Sequence, residues 1–521
     1  MSDRVHISLR PLGASFDVER GASLQDVLFP YGVEFPCGGR GRCKGCRVRV
    51  LQGTLALTPE QERVLSPREV DDGWRLACHC RAESDLTLEL AQWEAAILAD
   101  ESPFSFTPRA GLGIAVDVGT TTLVAQLLDL RTANVLGVRT GLNLQAKHGA
   151  DIMSRIGFAV TEGKQEVLTS LIRDQIGLMA GELLASTHAD PATLVEIVLV
   201  GNSVMHHLFC GIDCTPLSRY PFEPKDDGLK SFSAEELSWT PGATPAIRFL
   251  PCLGGFVGSD ILAGISAVNL HRSDSPVCLI DLGTNGEIVI GSGRRMICCS
   301  TAAGPAFEGA RIHMGMRAAT GAIAEVQIGT EGGGLIFKTL GDVPPRGLCG
   351  SGLVDAAAAL LDTGRILPSG RFSGGEKSVM LAPPVKLTQT DVRELQLAKG
   401  AIAAGIRILL RELALDEEGI STVYLAGAFG NYVNTASARR IGLVGFPPPP
   451  ERILPVGNTA LRGAKRALFE DPAAYESLAS RVEHMSLNAH HDFQEIYVEE
   501  MGFPAAHDRA REAGTDRPLR E

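Results

Sequence analysis

The chain has 521 residues, which is too long for a single hydrophobic core, so we expect two to four domains. Its composition, with 45% hydrophobic and 21% charged residues, is that of a soluble globular protein. The net charge of −12 argues against a general nucleic-acid-binding protein, which would normally carry a basic face.

The N-terminal segment predicts neither export nor membrane insertion. Met1–His6 contains no apolar core of a signal peptide, and no run of about 18 apolar residues occurs further along. We therefore expect a cytoplasmic protein that is not bound to a membrane. In that compartment the twelve cysteines are not expected to form structural disulfides, and a clustered subset is expected to bind metal.

Residues 1–90 carry the cysteine cluster. Three cysteines follow the spacing C-x5-C-x2-C, and a fourth lies about thirty residues later. This pattern resembles that of plant-type ferredoxins, in which four thiolates hold a [2Fe–2S] cluster. We therefore predict a β-grasp ferredoxin domain whose cluster ligands are Cys37, Cys43, Cys46 and Cys78.

Two alternatives accompany this prediction. Zinc also accepts four cysteines, although zinc sites more often use two tight cysteine pairs, and only Cys43 and Cys46 form one here. Cys80 competes with Cys78 for the fourth position, and Cys78 is preferred because Arg75–Cys78 resembles the sequence around the fourth ferredoxin ligand.

Basic residues surround the cysteine loop without an acidic residue between positions 38 and 49. They either offset the charge of an anionic cluster or also form a docking face for an acidic redox partner, and the sequence does not choose between the two. These residues are Arg40, Arg42, Lys44, Arg47 and Arg49.

After a predicted linker at residues 91–110, two similar hairpins mark a duplicated unit. In each, an apolar strand ends at an aspartate, Asp117 or Asp281, and a glycine- and hydroxyl-rich turn leads into a second apolar strand. Such turns let backbone N–H groups approach a phosphate, and the carboxylate can hold Mg²⁺ through its water shell. The predicted nucleotide contacts are Gly119, Thr120, Thr121, Thr122, Gly283, Thr284, Asn285 and Gly286.

Further glycine turns lie later in the chain. Gly350 and Ser351 open a predicted helix, and a long helix is predicted from about Asp391 to Leu413. The strand that follows runs into a turn that contains Gly427, Gly430 and Asn431. Residues 505–521 are polar and aperiodic and are predicted to be disordered.

One histidine pair in the first half is predicted to be structural. His206 and His207 are adjacent on a predicted helix and point about 100° apart, so they cannot chelate one ion together. We expect them at the surface or at an interface.

The two hairpins and the later glycine turn resemble the nucleotide motifs of the actin, sugar-kinase and heat-shock-chaperone superfamily. That resemblance implies a duplicated RNase H-like ATPase fold, with a first lobe at residues 111–270 and a second lobe at residues 271–504. It also implies nucleotide contacts in the second lobe, where glycines let the backbone lie against the nucleoside, and the expected contacts are Gly350, Ser351, Gly427, Gly430 and Asn431. The expected fold class is therefore an α+β ferredoxin domain followed by two α/β lobes that clasp a nucleotide.

A ferredoxin domain fused to this ATPase resembles the ATP-dependent reductive activators of corrinoid proteins. The resemblance covers nearly the whole chain, and its most specific segments are Cys37–Cys46, Val116–Thr122, Val200–Leu208, Asp281–Glu287, Ala303–Gly309, Gly347–Gly352, Thr388–Lys399 and Leu425–Asn431. Some members carry an extra domain between the ferredoxin and the ATPase, and the roughly twenty residues available here are too few for one.

The resemblance implies a function and a set of partners. An electron would pass from the cluster, with the help of ATP and Mg²⁺, to a Co(II) corrinoid protein of a methyltransferase system and restore Co(I). A low-potential donor would supply the electron, no nucleic acid or membrane would take part, and a homodimer is one open assembly. No Asp-x-His-x-x-Gly signature occurs in the chain, so the corrinoid is expected to belong to the partner.

Within this interpretation five residues receive catalytic roles. Asp117 and Asp281 would serve Mg²⁺-ATP, and Glu287 would position the attacking water. Ser300 or Thr301 would reach the cobalt from a loop of small side chains. The competing interpretation, which the sequence favours, is that these two hydroxyls cap a helix beginning near Pro305.

Three other functions are weighed against this one. The first is an activator of another low-potential metalloenzyme, such as an acyl-CoA dehydratase or reductase, although those activators carry their cluster inside the ATPase fold. An actin-like nucleotide switch with a redox-sensing cluster would not deliver an electron. A small-molecule kinase is the least favoured, because it would give the ferredoxin no task.

Overall fold

The computed structural model describes residues 3–10, 13–31, 33, 41, 46–90, 102–149, 151–239, 244–283, 285–309, 311–329, 334–430, 432–446 and 448–505. Four predicted site residues lie outside these ranges, namely Cys37, Cys43, Thr284 and Asn431, and so do residues 506–521 of the predicted tail. The chain divides into two compact units, Met1–Ala267 with Thr459–Arg481 and Val268–Asn458 with Val482–Glu521. Among the described helices, none combines the length and apolarity that crossing a membrane requires.

The N-terminal domain of the first unit is built on a five-stranded sheet in the order β2-β1-β7-β4-β5. β1 pairs with β7 in parallel and all other neighbours are antiparallel. The elements are β1 (Arg4–Arg10), β2 (Ser15–Glu19), β3 (Ala22–Ser23), α1 (Leu24–Leu28), β4 (Arg47–Gln52), α2 (Pro59–Val64), α3 (Pro67–Asp71), β5 (Trp74–Leu76), β6 (Arg81–Ala82) and β7 (Leu86–Leu90), with 3₁₀ helices Phe29–Tyr31 and Ala77–His79.

Alternation of apolar residues explains how this domain forms its core. The inward positions of β1 are Val5, Ile7 and Leu9, and all three are buried with Leu24 and Leu28 of α1. A mixed sheet covered by a short helix is the predicted β-grasp arrangement, which is confirmed.

The first lobe follows in the same unit, with a six-stranded sheet in the order β10-β9-β8-β11-β13-β12. β8, β9 and β10 form an antiparallel meander, and β11 and β13 continue the sheet in parallel from β8. The elements are β8 (Leu112–Val118), β9 (Thr122–Asp129), β10 (Val135–Leu142), α4 (Ile152–Thr161), α5 (Gln165–Ser186), β11 (Leu194–Val200), α6 (Ser203–Cys210), β12 (Lys230–Phe232), β13 (Ala246–Phe249) and α7 (Ser259–Ala267), with 3₁₀ helices Leu144–Lys147, Pro191–Thr193 and Thr215–Ser218.

The remaining chain forms the second unit, apart from Thr459–Arg481, which belongs to the first unit. The elements are β14 (Val277–Leu282), β15 (Gly286–Gly291), β16 (Met296–Thr301), β17 (Ala322–Ile328), β18 (Leu335–Thr339), β19 (Gly347–Leu348), α8 (Gly350–Asp362), β20 (Ser378–Ala382), β21 (Val385–Thr388), α9 (Gln389–Glu412), β22 (Thr422–Ala426), α10 (Gly427–Gly430), α11 (Thr435–Arg440), β23 (Ile453–Gly457), α12 (Thr459–Ala467), α13 (Pro472–Ala479), β24 (Val482–His484) and α14 (Phe493–Glu500). The 3₁₀ helices are Leu270–Arg272, Leu340–Asp342, Ser373–Gly375, Glu417–Gly419, Pro450–Arg452 and Leu487–Ala489.

The main sheet of the second unit repeats the topology of the first lobe. Its order is β23-β22-β14-β15-β16-β24, in which β14, β15 and β16 form the antiparallel meander. β22 and β23 then continue in parallel from β14, as β11 and β13 do from β8. The predicted duplication of an RNase H-like unit is confirmed. Smaller sheets (β18-β17-β19 and β20-β21) complete the second unit.

One segment differs from the domain boundaries expected from the sequence. Thr459–Arg481, which the sequence places in the second lobe, belongs to the first compact unit, because α12 packs against α7. The two helices approach closely at Gly463, where an added Cβ would lie 2.1 Å from the carbonyl oxygen of Ala263. Only a glycine allows the helices to touch there.

Candidate functional site

Two of the four predicted cluster ligands are described, and their sulfurs are neighbours. The Sγ atoms of Cys46 and Cys78 lie 3.4 Å apart. Cys46 precedes β4 and Cys78 lies in the 3₁₀ helix that follows β5, and these two strands are paired. The sheet therefore brings together thiols that are 32 residues apart in sequence, as a shared cluster requires.

Cys80 has different surroundings. Its side chain is 5% exposed, and the Nε2 group of Gln61 donates to its sulfur at 3.7 Å. Burial raises the pKa of the Cys80 thiol to about 11, although the contact with Gln61 opposes that shift. A metal ligand must be a thiolate, so these surroundings suit a neutral thiol better than a ligand.

Gln61 is a structural residue that the sequence analysis did not identify. It is fully buried, its Oε1 accepts from the Leu76 N–H at 2.9 Å, and its Nε2 donates to the Ala56 carbonyl at 3.1 Å. These bonds hold the end of β5 immediately before Cys78. The only signal in the sequence is a polar residue at an apolar position of α2.

The described basic residues near the cysteine loop are paired within their own domain. Arg47 forms an ion pair with Glu69 at 2.8 Å and lies 5.6 Å from the ring centre of Trp74. Arg49 lies 3.6 Å from the Glu89 carboxylate. For Arg47 and Arg49, these contacts favour a role in local charge balance over a role in docking an acidic redox partner.

The predicted first phosphate loop, called the first phosphate loop below, is the turn between β8 and β9. Asp117 is half-buried near the end of β8, and Gly119, Thr120 and Thr121 form the turn. An added Cβ at Gly119 would lie 2.4 Å from the Thr122 carbonyl oxygen, so this tight turn requires glycine.

Two asparagines hold this loop from outside the hairpin. The side-chain amide of Asn143 donates to the Gly119 carbonyl at 2.9 Å, and its backbone N–H donates to the Thr121 carbonyl at 2.9 Å. Asn202 caps α6 and donates to the Thr120 hydroxyl at 2.9 Å. Neither residue has a role predicted from the sequence, although Asn202 follows a buried strand and a glycine, which is a typical position for a helix cap.

The predicted second phosphate loop, called the second phosphate loop below, connects β14 and β15. The Gly283 N–H donates to the Asn285 carbonyl at 3.1 Å, and Asp281 lies opposite Glu287 in the antiparallel register. Glu287 is 8% exposed. The hairpin thus carries two carboxylates as cross-strand neighbours beside a turn, an arrangement that can bind a hydrated divalent cation or orient a water.

Ser300 and Thr301 lie at the end of β16, opposite Glu287 and Gly286 of β15. The Ser300 hydroxyl lies 3.4 Å from the Glu287 carboxylate and is half-buried. The Thr301 hydroxyl is buried and donates to the Gly286 carbonyl at 3.0 Å.

These positions correct the sequence interpretation in two ways. Neither hydroxyl caps a helix, because residues 305–309 form turns rather than a helical start. Thr301 cannot offer its hydroxyl to an outside ligand while it remains buried on Gly286, whereas Ser300 is partly accessible.

The glycines predicted to contact a nucleoside have packing reasons in the structure. Gly427 has φ +84°, and an added Cβ would lie 2.5 Å from Oδ1 of Asp281. A Cβ at Gly430 would lie 3.0 Å from the Leu425 carbonyl carbon, and one at Gly350 would lie 2.1 Å from the Phe307 oxygen. The Ser351 hydroxyl donates to the Ala324 carbonyl at 2.9 Å.

The histidine pair is not at the surface, which corrects the expectation for it. His206 and His207 are both 0% exposed, because α6 is enclosed by the core of the first lobe. Burial, and next the neighbouring His207, lower the pKa of His206 to about 3. His207 Nδ1 lies 2.8 Å from the Ser203 carbonyl oxygen, as expected for a neutral core histidine that donates to it.

Three family descriptions match successive parts of the chain. "2Fe-2S iron-sulfur cluster binding domain" matches residues 7–83, "RACo middle region" matches residues 112–273, and "C-terminal domain of RACo the ASKHA domain" matches residues 275–513. These matches agree with the ferredoxin domain and the two ATPase lobes seen in the fold.

Individual relatives match over most of their length. "Corrinoid activation enzyme RamQ" of Eubacterium limosum is 33% identical and is aligned over 94% of this chain and 97% of its own. "[Co(II) methylated amine-specific corrinoid protein] reductase" of Methanosarcina barkeri is 26% identical over 75% of this chain and 77% of its own. A solved structure, "Reductive activator for corrinoid,iron-sulfur protein", has a TM-score of 0.67 and 27% identity, and covers 96% of this chain and 98% of its own.

Proposed function

This chain belongs to the family of corrinoid activation enzymes, and we propose that it is an ATP-dependent reductive activator that returns an inactive Co(II) corrinoid protein to Co(I) for methyl transfer. One observation carries this proposal. The alignment with the corrinoid activation enzyme spans nearly the full length of both chains, so it includes the ferredoxin domain and both lobes together.

The cluster site suits the electron donor in this reaction. When bound, a [2Fe–2S] cluster supplies one electron and is oxidised as Co(II) is reduced to Co(I). The proposed ligands are Cys37, Cys43, Cys46 and Cys78, and the 3.4 Å separation of the Cys46 and Cys78 sulfurs supports the pairing of the last two. We further propose a low-potential donor in the reducing cytoplasm, where the ligand thiols stay reduced.

The energetics explain why an ATPase is attached to the ferredoxin. The reduction potential of plant-type clusters is about −400 mV, whereas the reduction of Co(II) to Co(I) has a very low potential. Each 100 mV of uphill gap costs about 2.3 kcal/mol per electron. Transfer therefore needs coupling, which nucleotide binding and hydrolysis can provide by changing partner affinity or cobalt ligation.

The two phosphate loops are the proposed nucleotide contacts, one in each unit. Asp117 and Asp281 would each face the hydrated Mg²⁺ of ATP, and Glu287, opposite Asp281, would orient the attacking water. The turn glycines and threonines would offer backbone N–H and hydroxyl donors to the phosphates. Gly350, Ser351, Gly427, Gly430 and Asn431 would frame the nucleoside side.

Ser300 is the proposed contact with the partner's cobalt. An axial ligand stabilises Co(II), and Co(I) prefers fewer ligands, so drawing that ligand away or offering a weaker one would ease reduction. Ser300 is the accessible hydroxyl of the pair at the end of β16, and its distance of 3.4 Å from the Glu287 carboxylate allows it to exchange partners at little cost.

The test combines the cluster-loaded protein, a low-potential reductant, Mg²⁺-ATP and a Co(II) corrinoid protein, and follows the Co(I) absorption. Wild type should produce Co(I) only with ATP, and Asp117→Asn or Asp281→Asn should lower hydrolysis and reduction by about a hundredfold or more with normal iron content. Asp190→Asn, which removes an exposed cap carboxylate, is the matched control and should behave as wild type. ATP-independent reduction, or normal turnover in both variants, would refute the proposal.

A further inference from the structure

We propose that the segment Leu142–Lys147, here called the docking segment, transmits the state of the first phosphate loop to the ferredoxin domain. Asn143 and Arg155 act in this link as positioning residues that touch the loop rather than the substrate. The inference rests on the proposed function, because it assumes that nucleotide phosphates bind at Gly119–Thr121.

On its inner side the docking segment is hydrogen-bonded to the first phosphate loop. Asn143 bonds to it twice, through its side chain to the Gly119 carbonyl and through its backbone to the Thr121 carbonyl, both at 2.9 Å. Asn143 is fully buried, so water does not replace these bonds. A change in the turn when phosphate binds must therefore move Asn143 or break buried hydrogen bonds.

Arg155 of α4 is also hydrogen-bonded both to the first phosphate loop and to the docking segment. Its side chain is 0% exposed, and it donates to the Thr120 carbonyl, to the Gly149 carbonyl at 2.9 Å and to Oε1 of Gln145 at 3.2 Å. One guanidinium thus connects the turn of the loop with the docking segment and with the chain that follows it.

The charge of Arg155 has no acidic partner in contact. In the described part of the chain its acceptors are neutral, and no carboxylate lies within ion-pair distance of it. Asp151, the cap of α4, acts on it from further away, and burial lowers the pKa of Arg155 to about 9. An anion at the phosphate loop would supply the missing countercharge.

On its outer side the docking segment contacts the ferredoxin domain. Leu142, Leu144 and Ala146 pack against the ferredoxin core. Lys147 forms an ion pair with Asp26 of α1 at 3.0 Å, and its Nζ lies 5.7 Å from the ring centre of Phe29. One short segment therefore contacts the loop through Asn143 and the ferredoxin domain through Leu142, Leu144, Ala146 and Lys147.

α5 holds the docking segment so that it moves as one piece. The side-chain amide of Gln175 accepts from the Leu144 N–H at 2.9 Å and donates to the Leu142 carbonyl at 2.7 Å. Gln145 donates to the Leu168 carbonyl at 2.9 Å. These bonds hold the docking segment against α5. A shift at Asn143 would therefore displace the residues that contact the ferredoxin domain, because the segment is not a flexible loop that could absorb the shift.

The test measures hydrogen exchange at α1 in the full-length, cluster-loaded protein, with and without a non-hydrolysable ATP analogue. In wild type the analogue should change exchange at Leu24–Leu28 by about threefold or more. Ala146→Glu places a charge in the apolar contact and should abolish this change, while analogue affinity stays within about twofold. Leu136→Glu, on an exposed position of the same β10 strand, is the matched control and should keep the wild-type response.

Three further variants keep the inference falsifiable. Lys147→Asp should weaken the response, and Lys147→Asp with Asp26→Lys should restore it, which a merely structural effect would not produce. Arg155→Met should lower analogue affinity about tenfold and also remove the response at α1.

The outcomes separate this inference from the proposed function. If wild type binds the analogue and reduces the corrinoid protein, but exchange at α1 does not respond, the link is refuted and the proposed function stands. An unchanged response in Ala146→Glu also refutes the link. If wild type binds no nucleotide, the proposed function itself fails.

Discussion

Cys78 and Cys80 are two residues apart, yet the structure places their sulfurs in different surroundings. The Cys78 sulfur lies beside that of Cys46, whereas the Cys80 sulfur is enclosed in the core next to Gln61. The strand end preceding Cys78 is fixed by Gln61, so the two thiols cannot simply exchange places.

We therefore predict that Cys80→Ser keeps the [2Fe–2S] cluster and that Cys78→Ser loses it or alters its spectrum. The reason is that the Cys78 sulfur lies 3.4 Å from that of Cys46, whereas burial beside Gln61 raises the pKa of the Cys80 thiol and so disfavours the thiolate that a metal ligand must be. Iron and acid-labile sulfide are measured in both purified variants. A cluster that survives in Cys78→Ser but not in Cys80→Ser would reverse the assignment.

Ser300 and Thr301 provide a second contrast between neighbouring residues. Thr301→Val should lower the free energy of unfolding by about 1 kcal/mol, because the buried Gly286 carbonyl loses a donor. Ser300→Ala should leave stability nearly unchanged and slow Co(II) reduction. Chemical denaturation and Co(I) formation are measured on each variant, and wild-type reduction by Ser300→Ala would exclude the cobalt role of this hydroxyl.

At the scale of elements, the junction between β22 and α10 controls the position of Asp281. β22 pairs in parallel with β14, and Gly427 follows immediately with a left-handed backbone. Its missing side chain leaves room for the Asp281 carboxylate, so a side chain at this position would act on the predicted second phosphate loop as well as on the proposed nucleoside contact.

Gly427→Ala is predicted to lower ATP affinity more than backbone strain alone would. The new Cβ would displace Asp281, and the left-handed conformation adds about 1–2 kcal/mol of strain. Gly374→Ala is the matched control, since Gly374 has φ +75° and nothing within 4 Å of an added Cβ. Nucleotide titration should show a loss in Gly427→Ala only, and equal affinities in the two variants would contradict this account.

At the scale of the whole molecule, one carboxylate ties distant segments of the first unit together. Glu196 of β11 is 4% exposed and forms ion pairs with Arg248 of β13 and with Arg109, the latter at 2.7 Å. Both arginines also donate to the chain at the end of α12, to the carbonyls of Leu468 and Ala467. The predicted linker, the sheet and the returning helix therefore meet at Glu196.

Removing this carboxylate should weaken the whole unit. Glu196→Ala leaves the mostly buried Arg248 without its acidic partner and is predicted to lower the free energy of unfolding by about 3 kcal/mol. Glu182→Ala, which removes an exposed carboxylate 3.6 Å from Arg139, should change it by less than about 1 kcal/mol. Urea denaturation compares the two, and a similar small loss in both would show that Glu196 does not hold the segments together.

Local patterns in the sequence were sufficient to predict several secondary-structure elements and to indicate the family. The 3.6-residue period predicted α9, and the repeated hairpin with its aspartate predicted the duplicated lobes. The cysteine spacing predicted the ferredoxin domain for the same reason, since three of the predicted ligands are close together in sequence. Such features depend on neighbours in the chain, and the sequence by itself determines them.

Tertiary structure alone decided which long-range partner each polar group has. It placed His206 in the core instead of at the surface, joined Thr459–Arg481 to the first unit, and attached Thr301 to Gly286 rather than to a helix start. It also brought Asn143 and Arg155 to the first phosphate loop. A buried polar group must find a partner wherever the packed chain provides one, and local periodicity does not specify contacts between residues far apart in sequence.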